Sequence, residues 1–308
     1  RLAPVMPCYH PMPAVRMVDG SVKFVSRNKA GVDGTLELPC GQCIGCRLER
    51  SRQWAMRCLH ESSLYDQNSF ITLTYDESTI PPGGSLWYPD FQKFMKRLRK
   101  FTKRSVRFYM GGEYGESTAR PHYHACLFGY DFPDKVFFRK SSSGEKLYTS
   151  AILERLWPHG LSSVGAVSFE SAAYIARYCV SKVTGDLAES HYSCPEYVDP
   201  DGVICQAVTP EFNHMSLKPG IGARWLSKFE TDVFPRDYVV INGVKTRPPK
   251  YYDTLFEREN PEVFSDIVAQ RELDGYSSFL SGEQSLSRLF VKEQVHSAQL
   301  SQLKRGFL

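Results

Sequence analysis

No run of apolar residues in this chain approaches the roughly 20 needed to cross a bilayer as a helix, which argues against a helical membrane protein. Residues 1–15 lack the apolar stretch of a secretory signal, so the expected setting is intracellular. No Gly-x-x-x-x-Gly-Lys-Ser/Thr occurs, which excludes a P-loop and with it a built-in ATP-driven helicase. Gly-x-Ser-x-Gly and His-Glu-x-x-His are also missing, which removes two common hydrolase signatures. There is no internal repeat and no low-complexity tract. Net charge is scant, +4 from 38 basic and 34 acidic residues, so only its distribution can point to a partner.

What is present begins with a composition suited to a packed core: 42% hydrophobic and 23% charged residues over 308 positions. The basic residues are unevenly placed. Lys93, Lys96, Arg97, Arg99, Lys100, Lys103, Arg104 and Arg107 follow one another without an acid. Solvated helix faces usually alternate in sign, so this run points to phosphate binding. A second group, Arg47, Arg50, Arg52 and Arg57, falls on an expected helix. The nine cysteines are odd in number, and Cys40, Cys43 and Cys46 are crowded in a way that suits a metal better than disulfides.

Along the chain, residues 22–38 suggest a β-hairpin turning at Gly31 and Gly34. Residues 47–64 read as a helix, Phe70–Tyr75 as a strand, and a second helix opens at Pro89 and Asp90 with Phe91, Phe94, Met95 and Leu98 as its buried stripe. Strands follow over Arg107–Gly112 and Tyr123–Gly129, a helix near Ser150–Trp157, a strand near Val164–Phe169, and a helix over Ala172–Val183. The order β-α-β-β-α-β-α after the first helix implies an α+β domain built on one antiparallel sheet. Residues 186–220 read as loop-rich, 237–252 as a hairpin around Asn242-Gly243, and 261–305 as two polar helices. The expected organisation is a Cys-rich segment over 1–46, a central domain over 47–185, and an extension over 186–308.

Three groups of residues carry chemistry. His122 and His124 alternate with Tyr123 on a strand, so both imidazoles point to one face with Cα atoms roughly 6.5 to 7 Å apart, and can converge on a divalent cation. Glu113, at the end of the preceding strand, is the expected third ligand, with Glu116 as runner-up. Two imidazoles and a carboxylate leave positions open for phosphate and water. Tyr174 and Tyr178 lie at i and i+4 of a helix, placing two phenols on one exposed stripe with Lys182 one turn further. A phenol with its ordinary pKa of about 10 needs its anion stabilised to act as a nucleophile, and Arg177, Lys182 and a nearby metal would do so. Cys40, Cys43 and Cys46, with Cys8 or His10 as fourth ligand, match tetrahedral zinc.

Taken together, Ile71–Thr74, the His-Tyr-His strand and the double tyrosine come in the order found in the HUH rolling-circle replication initiators. The stretches PCGQCIGCR, GEYGESTARPHYHACLFG, YIARYCVSK and MSLKPGIG closely resemble the replication initiators of microviruses, in particular the gokushovirus branch, over about residues 1 to 230. The resemblance implies a five-stranded antiparallel sheet with the His pair on a central strand, and Mg²⁺ or Mn²⁺ held by His122, His124 and Glu113. One tyrosine would attack a single-stranded origin to give a 5′-phosphotyrosine and a free 3′-OH. The second would cut the regenerated origin so that the circle closes, without ATP. The resemblance also implies a host helicase and host replication proteins as partners, in the cytoplasm of an infected bacterium. Arg177 stands where the family commonly has lysine, which keeps the charge but changes its shape; Lys182 matches a family lysine. The alternative from another class is a non-catalytic, zinc-bearing DNA-binding module.

Overall fold

A computed structural model describes residues 8–19, 21–25, 35–115, 118–141, 144–182 and 187–302; Gly31, Gly34 and Glu116 lie outside the described residues. In chain order the strands and helices are β1 (Met12–Arg16), β2 (Val22–Phe24), β3 (Thr35–Leu38), α1 (Ile44–Ser62), β4 (Asn68–Thr74), α2 (Tyr88–Thr102), β5 (Arg107–Tyr114) and β6 (Pro121–Phe128). Next come β7 (Val136–Lys140), β8 (Lys146–Thr149), α3 (Ala151–Leu156), β9 (Ser162–Gly165), α4 (Phe169–Ser181), α5 (Leu187–Tyr192), β10 (Ser193–Val198), β11 (Ile204–Ala207) and β12 (Phe212–Met215). They are followed by α6 (Ala223–Val233), β13 (Val239–Ile241), β14 (Val244–Thr246), α7 (Lys250–Glu259), α8 (Pro261–Leu280) and α9 (Leu286–Gln302). No described helix is long and apolar enough to cross a membrane. The chain divides into two compact units, one drawn from Arg1–Arg50 and Glu230–Leu303, the other chiefly from Ser51–Phe229.

The unit of Ser51–Phe229 is built on a fully antiparallel sheet in the order β12-β5-β6-β4-β9-β8-β7. This is α+β, as the element order predicts, but with seven strands instead of five. The extra strands are β7, β8 and β12, each of five residues or fewer. β6 is buried at every position because helices cover both faces of the sheet. On one face, Ile71, Leu73, Tyr123, Ala125 and Leu127 pack with Phe91, Phe94, Met95 and Leu98 of α2 and Leu153 and Leu156 of α3. On the other, Phe70, Tyr109, Cys126 and Phe128 pack with Ala55 and Cys58 of α1 and Ala172–Ala176 of α4. Strand alternation thus sends His122 and His124 to the α4 face and Tyr123 to the α2 face.

A buried ion pair locks β5 to this second layer. Arg107 Nε donates to Glu61 Oε1 at 2.7 Å and Arg107 Nη2 to the Pro219 carbonyl at 2.6 Å, while Gly222 N donates to Glu61 Oε2 at 2.8 Å. Arg107 is therefore a structural cation with 7% of its side chain exposed, and it leaves the expected phosphate-binding set.

In the other unit, the expected pairing of residues 22–24 with 35–38 is replaced: β1 lies between β2 and β3 and pairs with both. The expected hairpin at Asn242-Gly243 is present as β13–β14, with φ of 49° and 78° at the two turn residues. Both expected C-terminal helices form, as α8 and α9. Arg271 of α8 grips Asp237 and Asp253 with four hydrogen bonds.

Two outcomes follow for stability. Glu61→Ala strands the Arg107 guanidinium and should cost roughly 3–5 kcal/mol in urea unfolding, whereas the exposed Lys100→Ala should stay within about 0.5 kcal/mol; a loss at Glu61 below about 1 kcal/mol would refute the pair's structural role. His60, stacked on Trp225 at 3.6 Å, is held neutral by burial, its pKa lowered to about 3. Between there and the unfolded value near 6.5, the unfolded chain binds a proton that the folded chain does not. The stability advantage of wild type over His60→Phe should therefore shrink as pH falls from 7 to 5, and a pH-independent difference would contradict it.

Candidate active site

Register places the site. In the antiparallel ladder, His122 faces Glu113 of β5 and Thr74 of β4, while His124 faces Gly111 and Thr72. The tight return between β5 and β6 thus brings the expected acid beside the His pair. The two imidazole rings are 6.0 Å apart. His124 Nε2 meets Glu113 Oε1 at 2.7 Å, and its Nδ1 meets Thr72 Oγ1 at 3.0 Å. Phe70 stacks along the His124 ring at 5.7 Å. The Tyr174 ring stands edge-on to His124 at 5.1 Å, and its hydroxyl donates to Glu113 Oε1 at 3.5 Å.

Tyr174 is buried, not on the exposed stripe expected from helical spacing. Its approach depends on Gly111: a Cβ there would lie 2.9 Å from Asn213 Nδ2 and 3.1 Å from Ile175 Cγ2. Asn213 of β12 adds a clamp, donating to the carbonyls of Met110 on β5 and Ile175 on α4. Tyr178 lies one turn later on α4, but its side chain is outside the described residues. Arg177 is exposed, and Lys182 is half-buried at the C-terminal cap of α4.

Three buried polar atoms here have no hydrogen-bond partner: Glu113 Oε2 and both ring nitrogens of His122. Such groups are costly in a protein interior, roughly 1–3 kcal/mol each, unless a ligand satisfies them. Burial holds the His122 pKa at about 4, so the ring is neutral at neutral pH with a lone pair to offer, and burial raises the Glu113 carboxyl above its ordinary range. Two nitrogens and a carboxylate are a fitting donor set for a divalent ion. His122 nonetheless stands apart from the Glu113–His124 contact: among the described residues, only the four cysteines bring three or more such ligand atoms within 4.8 Å of one another. Gly115 leaves room for the His122 ring, which a Cβ there would meet at 2.9 Å.

The expected basic set is divided by the fold. Lys93, Lys96, Lys100, Lys103 and Arg104 are exposed, but α2 covers the sheet face opposite the His pair. Arg97 and Arg99 are half-buried and donate to the carbonyls of Leu156 and Val106. Thr72, Phe70, Gly111 and Asn213 were not singled out by sequence. Thr72 falls within the Ile71–Thr74 stretch, but its role depends on a cross-strand register that local sequence does not display.

In the unit of Arg1–Arg50 and Glu230–Leu303, the sulfurs of Cys8, Cys40, Cys43 and Cys46 all lie within 4.8 Å of one another, a cluster that could hold a metal such as zinc. Backbone amides of Cys40, Tyr9 and Cys43 donate to the sulfurs of Cys8, Cys43 and Cys40. These contacts, with the other thiols, bring the Cys43 pKa down to about 7 against the opposing effect of burial, which pushes the Cys8 thiol up to about 11. Gly41 takes the φ of +75° that the turn between Cys40 and Cys43 requires. The alternative ligand His10 instead pairs with Glu293 at 2.9 Å, leaving Cys8 as the fourth member. Tyr9 and Cys43 pack with Leu289 of α9, and the Tyr9 hydroxyl bonds His296.

Residues 68–183, which include every residue placed at the His-pair site except Asn213, match the family described as replication-associated protein ORF2. The replication-associated protein VP4 of Bdellovibrio phage phiMH2K is 29% identical over 327 aligned residues, covering 97% of this chain and 98% of the relative. The replication-associated protein ORF2 of Spiroplasma virus 4 is 31% identical over 248, covering 76% and 72%. The replication-associated protein ORF4 of Chlamydia phage 1 is 25% identical over 231, covering 72% of this chain and 54% of the relative. No solved structure matches. With identity at this level spread over most of both chains, the protein belongs to the family of microvirus-type phage replication-associated proteins.

Proposed function

We propose that this protein is an HUH-type rolling-circle nickase, which cuts single-stranded origin DNA with a tyrosine and keeps the cut strand as a covalent phosphotyrosine. The observation that carries this reading is the Tyr174 hydroxyl on Glu113, inside the same buried cluster as His122 and His124. A nuclease that hydrolyses with water needs no phenol there. A non-catalytic binding module has no reason to bury three unsatisfied polar atoms.

In the cutting step, Tyr174 Oη bonds to phosphorus as the bond to the 3′ oxygen breaks. The phenolic proton passes to Glu113, and the departing oxygen takes up a proton to become the 3′-hydroxyl that primes synthesis. Burial makes Glu113 a better proton acceptor than an exposed carboxylate. His122, His124 and Glu113 would hold Mg²⁺ or Mn²⁺, which when bound polarises the phosphate. Thr72 occupies His124 Nδ1 and so commits Nε2 to the site. Tyr178 would serve the second cut, with Arg177 and Lys182 supplying positive charge along the helix. One phosphodiester is exchanged for another, in keeping with the missing P-loop, and strand separation falls to a host helicase. Zinc at Cys8, Cys40, Cys43 and Cys46 would be structural.

Single-stranded origin DNA with Mn²⁺, resolved on a denaturing gel, should give a covalent protein–DNA band. Tyr174→Phe and Tyr178→Phe should each retain some adduct and the double variant none. His122→Ala or His124→Ala should lower the adduct rate at least about 100-fold while leaving DNA binding largely intact. Free cleavage products without an adduct would replace the nickase reading with that of a nuclease.

The purified protein should carry about one zinc per chain by elemental analysis, lost in Cys43→Ser. A chelator that strips only the His-held ion should stop cutting without unfolding the chain. Zinc-free, fully folded protein would overturn the structural site.

A further inference from the structure

Strand β7 ends the large sheet, with β8 as its one neighbour among the described residues. All five of its residues are exposed, including Val136, Phe137 and Phe138 at 65%, 55% and 58%. Large apolar side chains on a free edge strand invite self-association unless something uses them. Here they are interleaved with cations. Arg139 and Lys140 follow directly, and Lys146 of β8 faces Lys140 in register. Among the described residues none of these three is in an ion pair, whereas neighbouring Lys135 is held by Asp131 at 2.5 Å. The Arg139 guanidinium lies 5.5 Å from the Phe138 ring, and Phe137 meets Tyr148 edge-on at 6.1 Å.

We propose that this edge, formed by Phe137, Phe138, Arg139, Lys140 and Lys146, is a platform for the single-stranded DNA that flanks the nick. The proposal rests on the nickase reading and adds where the strand runs beyond the cut. Exposed aromatic faces stack bases with little sequence preference, and cations between them take the phosphates. A protein partner adding a strand to this edge would use the backbone and the apolar side chains, but three unpaired cations suit a polyanion better. Position also fits. β7 is four strand spacings from β6, about 19 Å at roughly 4.8 Å each, so it would meet nucleotides a few positions from the scissile phosphate. The two places share a sheet face: Arg139 is opposite Leu147, whose side chain packs by Gly165, and Gly165 is opposite Phe70, which stacks on His124.

The test is fluorescence anisotropy of the full chain with a labelled oligothymidylate of about 20 nucleotides, longer than one such site. It is done without divalent ions, so that binding is read apart from cutting. Phe137→Ala/Phe138→Ala should weaken binding roughly tenfold or more. Arg139→Gln/Lys140→Gln/Lys146→Gln should reduce the slope of log affinity against log salt by about 2, near 0.7 for each phosphate that is no longer neutralised. Thermal unfolding should match wild type, since all of these side chains are exposed. If wild type binds and both variants bind equally well with unchanged salt slope, the platform is refuted while the nickase reading stands. If wild type does not bind, both fall. If the aromatic variant binds normally but converts an oligomer to monomer in sedimentation, the edge is a protein interface and the proposal is wrong.

Discussion

The active geometry depends on how closely α4 can lie on β5. Tyr174 reaches Glu113 and His124 only because position 111 carries no side chain, so that the Ile175 side chain and backbone can settle where a Cβ would otherwise stand. Asn213 then ties the two elements at the same level. Once that approach is set, the rest of the cluster follows from alternation along β4 and β6. His122, His124 and Thr72 share one face, and the residues between them build the opposite core. Burial comes with this closeness. It leaves His122 neutral and Glu113 more basic, and both conditions favour holding a divalent ion and accepting a phenolic proton.

The two-faced sheet also sorts the cations. A run of basic residues in sequence reads as one surface, yet the fold spends its members differently. Arg107 is an internal tie to Glu61, Arg97 and Arg99 brace backbone carbonyls, and the exposed lysines of α2 lie behind the sheet. Long side chains can bury their stems and still satisfy a charged head on nearby carbonyls, so sequence sign alone does not distinguish a surface patch from internal bracing.

Much of this was legible beforehand where periodicity is strong. The stripe of α2, the antiparallel pairing of β5 and β6, the shared face of the His pair and the four-cysteine cluster all follow from local spacing. What escaped has a common physical cause. β7, β8 and β12 are short, and none alternates apolar with polar over enough residues to stand out. β1 wedges between β2 and β3 because sheet order is a matter of long-range pairing, while a sequence pass joins the nearest strands. The burial of Tyr174 was missed because helical spacing shows which residues share a face, not which face turns inward.

The unit that carries the cysteine cluster is assembled from segments far apart in sequence, with Tyr9 and Cys43 covered by Leu289 and His296 of α9. During synthesis its first half must therefore wait on the ribosome until α9 has emerged. The sheet unit, drawn from the residues between, has all its strands available earlier. A premature stop within α9 would thus leave a complete sheet attached to an unfinished partner, its thiols uncovered and open to oxidation and to the proteases that clear incomplete chains.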